Sequence, residues 1–112
     1  MSVPLPDLSI NLLRQVTVSL VRRDGPDLSA RQLATLLTCY LESQPQTVRG
    51  LAKELNVSRG AISRALDRLS EFDLIRRKPD PSDGRSVLVE VQPNGNRLVR
   101  DVRDIMRRVT KA

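Results

Sequence analysis

With 112 residues, 39% of them hydrophobic, the chain has the size of one domain and the material for a modest core. Its 19 basic against 13 acidic residues leave a net charge of +6, which favours a polyanionic partner, nucleic acid before an acidic membrane surface. No histidine and a single cysteine, Cys39, exclude an internal disulfide, the usual His and Cys zinc sites and the Ser-His and Cys-His catalytic pairs.

Only Tyr40 and Phe72 are aromatic, too few rings to stack the bases of a single strand, so duplex DNA is the expected polyanion. The charge is uneven along the chain. Residues 1–48 balance four bases with four acids, whereas residues 49–85 hold nine against six and residues 93–112 hold six against two. The middle and the tail are therefore the segments suited to a polyanion.

Residues 1–7, with Pro4 and Pro6, read as a loose arm. No basic segment leads into an apolar run there, so no signal peptide is expected. Nothing approaches the roughly 18 apolar residues of a membrane helix. The expected location is the bacterial cytoplasm, with no membrane partner. Over residues 8–23, Leu12, Leu13, Val16 and Leu20 keep helical spacing, although Val16, Val18 and Leu20 also alternate as in a strand; helix is the reading adopted. Asp24-Gly25-Pro26-Asp27 breaks it. Ser29 and Gln32 have the spacing of a capping box, and Leu33, Leu36, Leu37, Tyr40 and Leu41 form one stripe of the helix that follows.

Gln44-Pro45-Gln46 ends that helix. Thr47 then caps a short one over residues 48–55, with Val48, Leu51, Ala52 and Leu55 inward. After a tight turn at Asn56-Val57, Ser58 caps another helix that reaches about Phe72, with Ala61, Ile62, Ala65, Leu66 and Leu69 inward. Two short helices joined by such a turn are a helix-turn-helix. Leu74–Lys78 reads as a strand, residues 79–84 as a loop with its turn at Asp83-Gly84, and Ser86–Val91 as a second strand. Pro93 suits the first turn of a last helix, whose stripe is Leu98, Val102, Ile105 and Val109. The fold class is mainly α with a small β-hairpin wing, an α+β winged helix-turn-helix.

An α-helix fits the major groove, and Arg grips guanine O6 and N7 with two hydrogen bonds. The helix from Ser58 turns Arg59, Gly60, Ser63, Arg64, Asp67 and Arg68 outward, with Ser58, Arg59, Ser63 and Arg64 toward the end that usually meets bases. Gly60 costs helix stability, roughly 1 kcal/mol against Ala, which a close approach to DNA explains. Taken alone, this face is equally a solvated one. The wing adds Arg76, Arg77 and Lys78 before its loop and Arg85 after it, placed for the adjacent minor groove. Asp83 either serves the turn alone or also orients the Arg85 guanidinium. The candidate DNA contacts are Ser58, Arg59, Gly60, Ser63, Arg64, Arg68, Arg77, Lys78, Asp83 and Arg85.

The stretch TVRGLAKELNVSRGAISRALDRLSEFDLIRRKPDPSDGRSVLVEVQPNG resembles the core of a MarR (multiple antibiotic resistance regulator) winged helix, and the likeness extends over about residues 30–110. Its most specific part is an Asp, one residue, an Arg, a valine-rich strand and a Gly opening the last helix. The resemblance implies that Asp83 and Arg85 belong to the wing, that Asp83 orients Arg85 and that Arg85 enters the minor groove. Gly84 stands where the family frequently has a basic residue. The resemblance also implies a homodimer built from the terminal helices, residues 8–23 and 94–110, around a DNA-binding core over residues 29–92. Leu98, Val102, Ile105 and Val109, spaced 4, 3, 4, suit a seam with another helix or a stripe over the chain's own core. With Leu12, Val16 and Leu20 they are the candidate dimer interface.

The expected function is a sequence-specific duplex-DNA-binding regulator, a repressor on a pseudo-palindromic operator. A protein-interaction module on the same fold is the alternative. A third is an effector-sensing switch, since relatives bind small aromatic molecules and some sense oxidants through a cysteine. For Cys39 an inert small residue is the simpler reading. No acid-base constellation, metal-ligand set or phosphate-cradling loop appears, so neither an enzyme nor a cofactor is expected.

Overall fold

The structure is a computed structural model and describes Pro4 and residues 7–111. Most of the arm read over residues 1–7 thus lies outside the described residues. The elements run in order α1 (Leu8–Arg22), α2 (Ala30–Leu41), β1 (Gln46–Thr47), α3 (Val48–Leu55), α4 (Arg59–Glu71), β2 (Ile75–Asp80), β3 (Asp83–Val91) and α5 (Pro93–Lys111). They divide into two compact units. One runs from Leu28 to Arg97, and the other joins the described residues up to Asp27 with those from Leu98 onward.

In the unit from Leu28 to Arg97, hydroxyl caps start every helix before α5. Ser29 Oγ accepts the Gln32 N–H at 3.1 Å while Gln32 Oε1 accepts the Ser29 N–H at 3.0 Å, a complete capping box. Thr47 Oγ1 accepts from the Gly50 N–H and Ser58 Oγ from the Ala61 N–H, each at 3.0 Å. Such a cap contributes about 1 kcal/mol. Asn56 ends α3 in the left-handed region at φ 55°, and the Val57 N–H then donates to the Ala52 carbonyl. That turn reverses the chain between the two helices.

Both α2 and α3 pack on α4, and α4 leans on β2. Leu36, Leu51, Ile62, Leu66 and Leu69 are wholly buried between them. All five inward positions read for α4 are buried. The sheet is antiparallel, in the order β1-β3-β2.

The wing differs from its sequence reading. The ladder does not stop at Lys78 but continues to Pro79↔Val87 and, after a shift of register, to an Asp80↔Asp83 pair, so the turn is Pro81-Ser82 and not Asp83-Gly84. Asp80 decides this. Its Oδ1 accepts both the Ser82 N–H at 2.9 Å and the Ser82 hydroxyl at 2.8 Å, closing the turn two residues early and holding the carboxyl below its ordinary pKa. Asp83 and Gly84 become the first residues of β3, and Gly84 uses no positive φ. Strand β1 was not foreseen. It pairs Gln46 with Val89 and Thr47 with Leu88, more than forty residues away in sequence.

In the other unit, α1 buries none of its residues. Arg23 approaches Asp101, Nη2 to Oδ2, at 3.5 Å. Leu98, Val99 and Val102 of α5 are buried, whereas Leu12, Val16, Leu20, Ile105 and Val109 are half-buried. Leu8, Ile10, Leu13, Val18 and Val21 of α1 and Met106 of α5 stay exposed. No helix among the described residues is long and apolar enough to cross a membrane.

The junction of wing and α5 leaves no room for a side chain. The Gln92 N–H donates to the Leu74 carbonyl at 2.9 Å. A Cβ on Gly95 would sit 2.3 Å from that same carbonyl oxygen and 2.8 Å from Val91 Cγ1. Gly95→Ala is expected to lower the unfolding free energy by about 1–3 kcal/mol, the usual cost of overpacking, read as a shift of the urea midpoint. An unchanged midpoint would show that the junction yields freely.

Candidate nucleic-acid interface

Burial of Ala61, Ile62, Ala65, Leu66 and Leu69 fixes the roll of α4. It leaves Ser58, Arg59, Gly60, Arg64, Asp67 and Arg68 exposed, with Ser63 half-buried. Arg59 and Arg64 make no ion pair or hydrogen bond among the described residues, so their guanidiniums are free for a ligand. Arg64 Nη1 passes within 3.5 Å of where a Gly60 Cβ would stand, and nothing of the chain's own backbone crowds that point. The missing side chain at Gly60 is not needed by the packing of α4. It opens a gap at the N-terminal end of the outward face.

The other cations of the sequence-derived set are engaged. Arg68 donates to Glu71 at 3.2 Å and stacks over the Phe72 ring, 4.5 Å from its centroid. Arg77 donates to Asp67 Oδ1 at 2.6 Å. Lys78 pairs with Glu90 on the neighbouring strand. The pairing follows from strand geometry, because successive side chains of a strand point to opposite faces. Arg77 stands opposite Val89, which is 2% exposed, and so shares the face that α4 covers. Arg76 and Lys78 stand opposite Glu90 and Leu88 and share the other face. Treating Arg76, Arg77 and Lys78 as one basic run missed this, although the alternation was legible in the sequence.

At the tip, Asp83 does not grip the Arg85 guanidinium, which corrects the orientation reading. Asp83 Oδ1 accepts the Arg85 backbone N–H at 3.1 Å, and Oδ2 accepts the Ser86 hydroxyl at 3.0 Å. The carboxylate thus spends both oxygens on its own strand. It fixes the path of the strand and leaves the Arg85 guanidinium without a partner among the described residues. Arg76 is likewise exposed and unpaired, as is Arg49 on the first turn of α3. Neither was among the candidates. The free cations of the unit thus include Arg49, Arg59, Arg64, Arg76 and Arg85.

A helix, a tight turn, a second helix with a basic outward face and a two-stranded basic ribbon define a winged helix-turn-helix regulator. The MarR family model matches residues 28–87, more than half of the chain. The chain belongs to the MarR family of transcriptional regulators. An uncharacterized HTH-type transcriptional regulator of Mycobacterium leprae is 32% identical over 97 residues, which cover 87% of this chain and 67% of that protein. Among solved structures, a mutant of Staphylococcus aureus MepR bound to an oligodeoxyribonucleotide aligns with a TM-score of 0.82 at 22% identity, over 95% of this chain and 75% of that one. Streptococcus pneumoniae FabT in complex with DNA aligns with a TM-score of 0.77 at 21% identity, over 96% and 74%. At these identities the two structures establish the fold.

Cys39 lies apart from this face, half-buried on α2. Loss of water around it pushes the thiol up to about 11, the opposite of what a redox-sensing thiolate needs. Alkylation of the folded chain at pH 7.5 is expected to be much slower than in urea, and to keep accelerating with pH beyond pH 10. Rapid labelling that levels off below pH 8 would overturn this and restore a sensing role.

Proposed function

We propose that the chain binds duplex DNA sequence-specifically as a homodimer and acts as a repressor on a pseudo-palindromic operator. The observation that carries this is the exposed, unpaired pair Arg59 and Arg64 flanking Gly60 on the outward face of α4, with free Arg76 and Arg85 on the wing beside it. In this reading α4 enters the major groove, where Arg64 reads a guanine. Gly60 lets the groove edge approach the helix backbone. The wing carries Arg85 to the neighbouring minor groove, whose narrow parts concentrate negative potential. MepR and FabT share this fold and have been solved bound to DNA, which supports DNA as the partner of this chain.

The dimer reading draws support from α1. An apolar helix with no buried residue and with Leu8, Ile10, Leu13, Val18 and Val21 exposed presents a surface that water tolerates poorly. Leu98 and Val102 of the expected seam are already buried in the single chain. The partner's contact is therefore built on the exposed side of α1 and on the half-buried Leu12, Val16, Leu20, Ile105 and Val109. Two-fold symmetry then places two copies of α4 about one helical turn apart, with half-sites near 10 bp. Repression follows from occupying such a site in the cytoplasm.

Arginine substitutions test the reading by separating base contact from phosphate contact. Arg64→Ala is expected to cost about 1–3 kcal/mol on the preferred sequence and little on random duplex. Arg85→Ala is expected to weaken binding to most sequences and to lower the slope of log K against log salt by about 1. Equal losses on specific and random DNA for Arg64→Ala would remove it from base reading.

A further inference from the structure

We propose that Asp67 is a specificity-determining residue that acts through Arg77, holding that guanidinium off the DNA phosphates and bracing the wing against α4. The inference rests on the DNA-binding reading above and adds to it a device that limits indiscriminate binding.

The argument starts from where the two residues stand. On α4, Gly60, Ser63, Arg64, Asp67 and Glu71 recur at helical spacing along one outward strip. A carboxylate in that strip repels the phosphate backbone, so its presence on a helix suited to DNA calls for a reason. The reason lies ten residues on, where Arg77 Nη2 meets Asp67 Oδ1 at 2.6 Å. Arg77 is kept on the helix side of the sheet by the alternation of β2, opposite the buried Val89. Asp67 is the carboxylate that this guanidinium meets on that side of the sheet.

Arg68–Glu71 lies within α4 and its C-terminal turn, and Lys78–Glu90 lies within the wing. Asp67–Arg77 alone among the ion pairs of this unit ties the helix that carries Arg64 to the strand that leads toward Arg85. A cation already paired with a carboxylate displaces few counterions when DNA arrives. Each cation withheld in this way subtracts from binding to any sequence, while the base contacts of Arg64 on the same strip are untouched. The ratio of operator to random binding rises as a result.

The test is a double-mutant cycle on the full chain, with a 30-bp random-sequence duplex titrated from 50 to 300 mM salt. Asp67→Asn keeps the shape and removes the charge. It is expected to strengthen binding about three- to ten-fold at 100 mM salt and to steepen the salt slope by about 0.9, the contribution of one more phosphate contact. Arg77→Ala in the wild-type background is expected to leave the slope unchanged. Adding Arg77→Ala to Asp67→Asn is expected to return the slope to the wild-type value.

Melting curves within a degree or two of wild type exclude unfolding as the cause. The proposal is overturned if Asp67→Asn leaves the slope as it was. It is also overturned if that substitution strengthens binding equally in the Arg77→Ala background, since the effect is then plain repulsion by a carboxylate. A wild-type chain that does not bind duplex at 50 mM salt fails at the first titration, and the DNA-binding reading falls together with this inference.

Discussion

The inward face of α4 is the constraint on which the other features depend. Ile62, Leu66 and Leu69 are wholly buried, with Ala61 and Ala65 nearly so. Burial of a side chain of the size of Leu or Ile contributes about 1.5–3 kcal/mol. An exposed ion pair contributes about 0–1 kcal/mol. Packing therefore sets the roll of the helix, and charge has to accept the face that packing leaves. That face carries Arg59, Gly60, Arg64 and Asp67. A rotation by one residue would bury Arg59 or Arg64 and expose Ile62 or Leu66, so the aim of the two free arginines is as firm as the core itself.

The same ordering explains the division of labour among the cations. A net charge of +6, all of it after residue 48, suggests a uniformly basic surface over those segments. In the winged unit, the partners at hand instead sort the charges. Arg68, Arg77 and Lys78 are held by Glu71, Asp67 and Glu90, while Arg59, Arg64, Arg76 and Arg85 are left free. The free ones stand at the start of α4 and along the wing. Sequence specificity needs a few well-placed contacts over a moderate phosphate attraction, and on the proposed reading this distribution supplies that balance.

How much of this was legible in the sequence depended on the range of the interaction. The hydroxyl caps at Ser29, Thr47 and Ser58 close within three residues, and the helices begin where the sequence said. The inward set of α4 follows from a period of 3.6 and was complete. Strand β1 was invisible, because two residues gain a ladder only from Val89 and Leu88 far along the chain. The turn was misplaced because Asp-Gly is a strong signal by itself, and the competing turn depends on what Asp80 does with Ser82. Of the candidate site, the outward placement of the α4 residues was readable and the pairing of the wing was not. Asp67 and Arg77 are ten residues apart and on different elements, and only the packed sheet brings them together.

The central claim is that the face fixed by α4 reads sequence. It is tested most directly by selecting binding sites for the full chain from a pool of random duplexes at about 150 mM salt, where non-specific phosphate attraction is suppressed. The account predicts an enriched pseudo-palindrome with half-sites about one helical turn, near 10 bp, apart. A pool that stays random after repeated rounds, from a chain that remains folded, would contradict it and turn the basic face toward a protein partner.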